Sequence, residues 1–288
     1  QITFNYKGIL IMAQITAADV NKLRQMTGVS MMECKKALIE TDGDVDAAVK
    51  ILRERGVAVA AKRAEKEVKQ GIIAAKASAD GNTIAMVEVN CETDFVAKNA
   101  DFVAFVDTVA QKALDIDQDV AEAMADDLSA FISKTGENVK IRRSEKYTVA
   151  GTGKVASYIH MGGKVGVLLE VACGKAETLE NAEFVEMVKD ITLQIAAVAP
   201  KWLDRSVVPE ADIAAEREIY AKQMEGQNKP ANILEKIIDG KINKFFTENC
   251  LVDQVFVKDS ELSITKLVAK ACGDEIKIVR YTRYQLGA

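Results

Sequence analysis

The sequence predicts an α+β fold, in which helical segments and antiparallel sheets follow one another along the chain. Three helix signals with good capping residues come first, strand alternation begins at Gly71, and a strand–helix unit then occurs twice. Apolar residues make up 49 % and charged residues 28 % of the 288 residues, which provides enough apolar material for a sizeable core. That length fits two domains, or one domain with small modules.

The first eleven residues, QITFNYKGILI, differ in character from the rest of the chain. We interpret residues 1–11 as a non-native or flexible extension, because Met12-Ala13 reads like a natural start. An added strand is the alternative. The segment has neither the long apolar run nor the small-residue cleavage site of a signal peptide.

Residues 12–56 predict a three-helix module that binds a partner. Thr16 and Ser30 each stand three residues before a carboxylate, which is the spacing of a helix capping box, and Asp44 is the predicted N-cap of the third helix. Gly56 is the predicted end of that helix. Seven basic and seven acidic side chains leave the module neutral, which favours a protein partner over nucleic acid.

The next two predicted segments are a linker and a first core subdomain. Residues 57–70 are rich in alanine and in charge and contain no turn residues, so we expect a helical or partly ordered linker. Residues 71–150 begin with two strands joined by an Asp80-Gly81 turn. A helix comes next, with Phe102 on its apolar stripe.

Residues 151–288 form the predicted second core subdomain, which starts with another strand pair and a helix. A helical hairpin at residues 210–249 is inserted in it, with a turn at Gly226–Pro230. Val252–Val257 and Ile276–Tyr284 are predicted strands, and we expect both in the sheet of this subdomain.

Charge and residue counts exclude several classes of site. The formal net charge of −5 argues against a nucleic-acid binder with a basic surface, and a single histidine, His160, excludes any metal site that needs two. The five cysteines are odd in number and form no CxxC pair, so we expect reduced thiols in the cytoplasm and neither a disulfide framework nor a zinc ribbon. No metal, no cofactor and no membrane span are predicted.

One short motif superficially resembles a phosphate loop. Val155 follows Gly151-Thr152-Gly153-Lys154, where a phosphate loop requires Ser or Thr, so we interpret the motif as a turn. No recognisable setting for bond chemistry is present, and a lone histidine is more often structural or interfacial than catalytic.

The two strand–helix units overlay without gaps when Glu88 is aligned with Glu170, and this register gives eight identical pairs between Glu88 and Val106. Cys91 and Cys173 form one such pair. A single histidine cannot activate both thiols, so we interpret them as buried packing residues. This repeat serves as an internal control for function.

The segment after the matched cysteines is where the two copies differ. The first copy has Thr93-Asp94-Phe95-Val96, and the second has no aromatic residue there. Phe95 is therefore a candidate exposed anchor at a loop tip, the alternative being that it fills a gap in its own half.

Two adjacent methionines, Met31 and Met32, follow the predicted N-cap Ser30. Neighbouring helix positions lie about 100° apart, so both cannot face one core. We expect one methionine to pack inward and the other to be available to a partner.

Two long motifs then identify a family. The run from Thr27 to Leu38, TGVSMMECKKAL, and the run from Val89 to Lys98, VNCETDFVAK, resemble the elongation factor Ts family. Gly136-Glu137-Asn138-Val139 and Tyr158-Ile159-His160 also resemble family segments, and order and spacing agree from Met12 to Tyr284.

The resemblance implies a fold and an activity. It implies a ubiquitin-associated-like three-helix module, a core of two related subdomains and a projecting helical hairpin. It further implies a guanine nucleotide exchange factor for elongation factor Tu, which is not an enzyme of bond chemistry. Such a factor needs no cofactor of its own, because it acts on the GDP and Mg²⁺ that its partner holds. From the charge and the lack of a long apolar run we expect no direct contact with nucleic acid or membrane.

The resemblance also implies partner-binding residues. It implies that Asp94 and Phe95 are inserted between helices of the partner's nucleotide domain, and Thr93 and Val96 of the same motif are assigned to the contact with them. The three-helix module touches the same domain, and the second subdomain's histidine lies in the contact. These three implications assign the residues Thr93, Asp94, Phe95, Val96, Arg24, Met31, Met32 and His160.

Two departures from relatives limit the transfer. Some relatives have an apolar residue where this chain has Thr135, so that contact is not carried over. Contacts of an extra C-terminal module found in some relatives are not carried over either. A homodimer or a 2:2 complex through the helical hairpin or the core stays open.

The expected function is thus promotion of GDP release, with Phe95 as a wedge. The alternative is a ribosome- or nascent-chain-associated binding module without exchange activity. An enzyme ranks third. GDP release from elongation factor Tu, with and without the chain, separates the first two.

Overall fold

The computed structural model of the chain describes residues 15–225 and 230–288. The predicted extension at residues 1–11 and the turn residues 226–229 lie outside the described residues. In chain order the helices are α1 (Ala17–Thr27), α2 (Met31–Glu40), α3 (Val45–Arg63), α4 (Asp94–Ala97), α5 (Ala100–Asp115), α6 (Val120–Ala123), α7 (Ala125–Thr135), α8 (Ala182–Val198), α9 (Glu210–Met224), α10 (Ala231–Asn249) and α11 (Ile264–Lys270). The strands are β1 (Gln70–Ala77), β2 (Thr83–Cys91), β3 (Val139–Thr148), β4 (Gly153–His160), β5 (Val165–Cys173), β6 (Val255–Phe256), β7 (Asp259–Ser263) and β8 (Ile276–Gln285).

Helices and antiparallel strands are both abundant, which confirms the α+β prediction. Contacts divide the chain into two compact units. Unit one comprises the described residues of Gln1–Gly71, together with Val89–Phe102 and Gln118–Arg142. Unit two comprises Ile72–Glu88, Val103–Asp117 and the described residues of Arg143–Ala288. The domain boundaries expected from the sequence stay a prediction.

Helices α1 to α3 of unit one are capped at the residues that the sequence indicates. Thr16 forms a complete capping box with α1, and the side chains of Ser30 and Asp44 accept backbone N–H groups at the starts of α2 and α3. Gly28 ends α1 in the left-handed conformation, with φ +67°. The residues buried between these helices form a core cluster: Val20, Leu23, Val29, Cys34, Ala37, Leu38, Ala48 and Leu52.

Gly56 does not end α3, which continues to Arg63, so that prediction is wrong. The run VAVAAKR that comes after Gly56 is alanine-rich and supports a helix. Helix α3 packs on α7, where an added Cβ at Gly56 would meet Ser133 and Ser129 at 3.4–3.5 Å. These are ordinary van der Waals distances, so Gly56 is buried in a helix–helix contact that supports a helical conformation through it.

Two three-stranded sheets have equivalent strand orders, β1-β2-β3 and β4-β5-β8. In the second, β4 and β5 are antiparallel from Gly153↔Ala172 to His160↔Val165, and β5 and β8 are antiparallel from Val165↔Gln285 to Cys173↔Ile276. Residues of β5, α8 and α11 bury a common core against this sheet. The central strands β2 and β5 are the ones matched by the strand–helix repeat.

The segment Val252–Val257 is not a strand of that sheet, contrary to expectation. It begins in a 3₁₀ turn, and its strand part, β6, pairs with β7 in a separate two-stranded sheet. The fully buried amide of Gln194 explains the difference, because it accepts from Val257 N (2.9 Å) and donates to Val255 O (3.1 Å). A side chain of α8 thus takes the hydrogen bonds that a neighbouring strand would take.

The third strand of each sheet, β3 or β8, also belongs to the repeat. Strands β3 and β8 align when Arg143 is placed on Arg280, and the same register pairs Tyr147 with Tyr284. The third strands lie farther apart in sequence than the matched strand–helix units do. Aligning the sequence so that Glu88 matches Glu170 therefore does not bring β3 onto β8.

In unit two these residues form two matching Glu–Arg–Tyr clusters. In the first cluster the buried carboxylate of Glu88 pairs with Arg143 at 2.7 Å and accepts from Gly287 N at 2.9 Å. The Arg143 guanidinium lies 4.1 Å from the ring centroid of Tyr284. Glu88 is therefore a buried charge with both a cationic and a backbone partner.

The second cluster has the same geometry. The buried carboxylate of Glu170 pairs with Arg280 at 2.6 Å and accepts from Ala150 N at 3.1 Å. The Arg280 guanidinium lies 4.0 Å from the ring centroid of Tyr147. Each cluster joins one glutamate, from β2 or from β5, to an arginine and a tyrosine that lie on β3 and β8.

Helices α9 and α10 pack on each other. Arg217 pairs with Asp239, and Lys241 donates to Gln223 at 2.9 Å. At the end of α10, Phe245 is buried with its ring 5.8 Å from that of Trp202.

Candidate functional site

The loop after β2 presents one aromatic side chain. Thr93 is the N-cap of α4, and its hydroxyl accepts from Val96 N at 3.3 Å. Phe95 is the second residue of this short helix and is 82 % exposed. The alternative in which Phe95 fills a gap in its own half is therefore wrong.

Glu137 holds this loop from the residues that precede β3. Its carboxylate accepts from Thr93 N at 3.0 Å and from Thr93 Oγ1 at 2.6 Å. Charge-assisted hydrogen bonds of this kind are about twice as strong as neutral ones. The backbone and the side chain of the N-cap are thus both fixed by one carboxylate.

A further set of contacts in unit one supports the same loop. Glu92 accepts from Asn138 N at 2.6 Å and pairs with Arg63 at 3.2 Å. The Asn138 side chain donates to Lys66 O at 2.7 Å. The residues on each side of the Thr93–Glu137 contact are therefore held as well.

Asp94 lies beside the exposed ring and is paired along the helix. Its carboxylate accepts from Lys98 Nζ at 2.7 Å. This hydrogen bond is the main reason why the pKa of Asp94 lies below its ordinary value. Asp94 is thus an anion at neutral pH and remains accessible.

The second copy of the repeat has an equivalent loop after β5, and equivalent hydrogen bonds hold it. Asp274, which aligns with Glu137 in the register of the third strands, accepts from Lys175 N at 3.0 Å and from Thr178 Oγ1 at 2.6 Å. Cys91 donates to Thr93 O and Cys173 donates to Lys175 O, at 3.2 and 3.4 Å. Each loop therefore donates one backbone N–H and one hydroxyl to a carboxylate, from one residue in the first loop and from two in the second, and only the first loop carries an aromatic residue.

Arg24, Met31 and Met32 lie in unit one, as Phe95 does. Arg24 is exposed in the last turn of α1. Met31 and Met32 are 43 % and 64 % exposed, so the expectation that one methionine packs inward is wrong. They form the first turn of α2, and burial begins only with Cys34 one turn later.

His160 lies in unit two, at the end of β4. Its ring is exposed, and its Nδ1 is hydrogen-bonded to the Tyr158 hydroxyl at 2.8 Å. Its carbonyl oxygen accepts from Gly163 N and Lys164 N, at 3.2 and 3.0 Å. The side chain and the backbone of His160 are therefore both held.

The two matched thiols of the repeat, Cys91 and Cys173, are buried, as the repeat predicts. Burial raises the pKa of Cys173 above its ordinary value, and it raises the pKa of Cys250 to about 11. Protonated thiols are poor nucleophiles at neutral pH.

Two features are absent from the described part of the chain. Within residues 15–225 and 230–288, no helix combines the length and apolar character needed to cross a bilayer. Over the same residues, no three His, Cys, Asp or Glu side chains are grouped as metal ligands would be.

Comparison with known proteins identifies the family. The sequence model described as "Elongation factor TS" matches residues 92–288. Elongation factor Ts of a Nitratiruptor species is 44 % identical over 286 residues, covering 95 % of this chain and 93 % of that protein. The chain belongs to the elongation factor Ts family.

Other members of the elongation factor Ts family are similarly close. The protein of that name from Clostridium botulinum (strain Alaska E43 / Type E3) is 42 % identical, over 95 % of this chain and 93 % of the relative. That from Desulfovibrio desulfuricans is 41 % identical, over 96 % of this chain and the full relative. The sequence resemblance is thus confirmed, and the chain is a translation elongation factor of the exchange-factor class.

Sequence reasoning missed the residues that support the elongation factor Ts motif. Glu137 and Asn138 stand in a run that already resembles the family, but they carry no assigned role until the structure places them against Thr93 and Glu92. In the sequence Tyr158 is likewise only a neighbour of His160. Glu137 lies far along the chain from the motif, so spacing gives no signal of their contact.

Proposed function

We propose that this chain binds elongation factor Tu in its GDP form and promotes GDP release, so that GTP can rebind. The observation that carries the proposal is Phe95, an aromatic side chain that is 82 % exposed on an anchored loop. An exposed aromatic residue is unfavourable in a free protein and is typical of a binding anchor. Membership of the elongation factor Ts family supports this partner.

The loop is suited to act as a wedge because it is held before it binds. Glu137 fixes the Thr93 cap, and Thr93 in turn starts the helix that carries Phe95. Burying one phenylalanine side chain contributes about 2 to 3 kcal/mol. A loop that is already ordered loses little of that gain to ordering on binding.

Exchange requires coupling between two binding events. If the chain binds nucleotide-free partner more tightly than GDP-bound partner, reciprocity requires that it weaken GDP binding by the same factor. In the proposed mechanism Phe95 enters between helices of the partner's nucleotide domain and shifts the elements that hold Mg²⁺ and phosphate. The chain itself binds neither cofactor nor metal.

The remaining predicted residues complete the proposed interface. Asp94, Thr93 and Val96 fix the tip of the loop. Arg24, Met31 and Met32 contact the same partner domain from a ubiquitin-associated-like module, and His160 contacts the partner from the second subdomain. A homodimer or a 2:2 complex through the hairpin α9–α10 or the core is compatible with this function. The proposed compartment is the cytoplasm, where elongation occurs.

Release of a fluorescent GDP analogue tests the proposal. Elongation factor Tu carrying the analogue is mixed with excess unlabelled GDP in a stopped-flow instrument, with and without a substoichiometric amount of the chain. We expect faster release, and we expect each chain to act on many partner molecules. Stable binding without faster release would identify the passive binding module instead.

A further inference from the structure

We propose that Tyr158 is a positioning residue for His160, holding its neutral ring in the Nε2–H tautomer as an outward hydrogen-bond donor. The observation is the 2.8 Å hydrogen bond between the Tyr158 hydroxyl and His160 Nδ1. The inference rests on the proposed function for its partner, which supplies the acceptor oxygen. It assigns to Tyr158 a role that is exerted through His160.

Tyr158 is a firm support because its ring is anchored. Tyr158 and His160 lie two residues apart on β4 and therefore on the same face of the sheet. The Tyr158 ring is half-buried and packs against the core cluster that contains its cross-strand neighbour Val167. The His160 ring lies 5.6 Å from the Tyr158 ring, centroid to centroid, and is exposed.

The backbone of His160 is fixed by the turn after it. Met161 has φ +49°, and the glycines at 162 and 163 also have positive φ. These conformations allow Gly163 N and Lys164 N to donate to the His160 carbonyl oxygen. Because the backbone is held, the side-chain torsion angles of His160 remain to be fixed. The hydrogen bond with Tyr158 fixes them.

The choice of tautomer depends on the chemistry of the two partners. A neutral imidazole has one N–H donor and one nitrogen acceptor. The phenol is the better donor and the imidazole nitrogen the better acceptor, so the Tyr158 O–H donates to Nδ1. The proton of the ring then resides on Nε2, the nitrogen that points away from Tyr158. An exposed N–H in a set direction suits an acceptor oxygen on the partner.

The composition of the chain makes this proposal directly measurable. His160 is the only histidine in the sequence, so every imidazole ¹⁵N signal of an untagged, ¹⁵N-histidine-labelled protein belongs to it. Spectra are recorded at about pH 8, where an ordinary imidazole is neutral. We expect a protonated Nε2 and an unprotonated Nδ1, and a shift toward a tautomer mixture in Tyr158→Phe. A protonated Nδ1 in the parent chain, or an unchanged spectrum in the variant, would overturn the inference.

Exchange kinetics provide the second readout. Losing one hydrogen bond should slow stimulated GDP release about fivefold in Tyr158→Phe. Tyr147→Phe is the matched control, because it also loses one phenol hydrogen bond, 2.8 Å to Thr282 Oγ1, and should release GDP at the parent rate.

A double-mutant cycle separates positioning from a general structural role. In a His160→Ala background, adding Tyr158→Phe should cause no further loss. An equal loss in both backgrounds would overturn the inference. Absence of stimulated release by the parent chain would instead reject the proposed function, and the NMR spectrum would still decide the tautomer.

Discussion

Tyr147 on β3 and Tyr284 on β8 each lie beneath the arginine of the other's strand, with Arg280 4.0 Å above Tyr147 and Arg143 4.1 Å above Tyr284. Each arginine also pairs with a buried glutamate. In each cluster, therefore, one copy of the repeat supplies the ion pair and the other copy supplies the ring. The contact is reciprocal, as at a two-fold symmetric interface between two identical proteins.

Equivalent clusters should make equivalent contributions to stability. Arg143→Met and Arg280→Met each remove one ion pair of a buried glutamate, which should lower the free energy of unfolding by about 2 kcal/mol or more. Urea denaturation followed by circular dichroism measures this change. The matched control is Arg217→Met, whose partner Asp239 is about half exposed, and it should cost less than about 1 kcal/mol. A large effect in only one of the two cluster variants would contradict the equivalence.

Phe95→Ala should slow stimulated GDP release about 30-fold, which corresponds to about 2 kcal/mol at an interface hot spot. Stability should not fall, since the ring is 82 % exposed. Stopped-flow release measures the rate, and thermal unfolding checks the fold. Val257→Ala, which also removes exposed apolar surface, is the control and should exchange normally. Parent-like release by Phe95→Ala would falsify the wedge.

Glu137→Gln should slow exchange about tenfold, because it weakens two charge-assisted hydrogen bonds that hold the Thr93 cap. Asp274→Asn is a close control, since it weakens the same two kinds of bond at the loop without an aromatic residue. Comparing GDP release by the two variants isolates the anchoring of Phe95. Equal slowing by both would mean that general loss of structure is responsible.

Alkaline pH should destabilise the fold through buried acids. Burial raises the pKa of the Cys250 thiol from 9.0 to about 11, so the unfolded chain loses this proton first as pH rises. The stability that the protonated thiol contributes is complete below about pH 9 and is lost as pH rises toward 11. Tyr284, whose pKa is raised to about 12, acts in the same direction at higher pH.

Chemical denaturation at a series of pH values between about 8 and about 10.5 measures this loss. The Cys250→Ala variant, although less stable at neutral pH because of the cavity, should show a shallower decline across that interval. A decline as steep as that of the parent chain would exclude Cys250 as its source.

Local features of the fold could be predicted from the sequence because they depend on neighbouring residues. The caps at Thr16 and Asp44 each require a side chain and an amide only three residues apart. The end of α3 could not be predicted in this way, because packing of Gly56 on α7 outweighs its weak helix propensity. The hydrogen bonds from Gln194 that displace a strand at Val257 are likewise long-range.

The same contrast between local and long-range features applies to the candidate site. Comparing the two copies of the repeat singles out Phe95, but it leaves open whether the ring is exposed or fills a local gap, and only the structure decides for exposure. Both methionines of α2 are exposed because the core begins at Cys34, which the angle between adjacent residues does not reveal. The contact of Glu137 with Thr93 joins segments that are distant in sequence, and it becomes visible only in three dimensions.

The loop supported by Asp274 has a consequence for protein engineering. It is anchored at Lys175 and Thr178 by the same two kinds of hydrogen bond as its counterpart, yet carries no aromatic side chain. The second loop is accordingly a ready acceptor for a grafted recognition peptide, which would turn this chain into a bivalent binder.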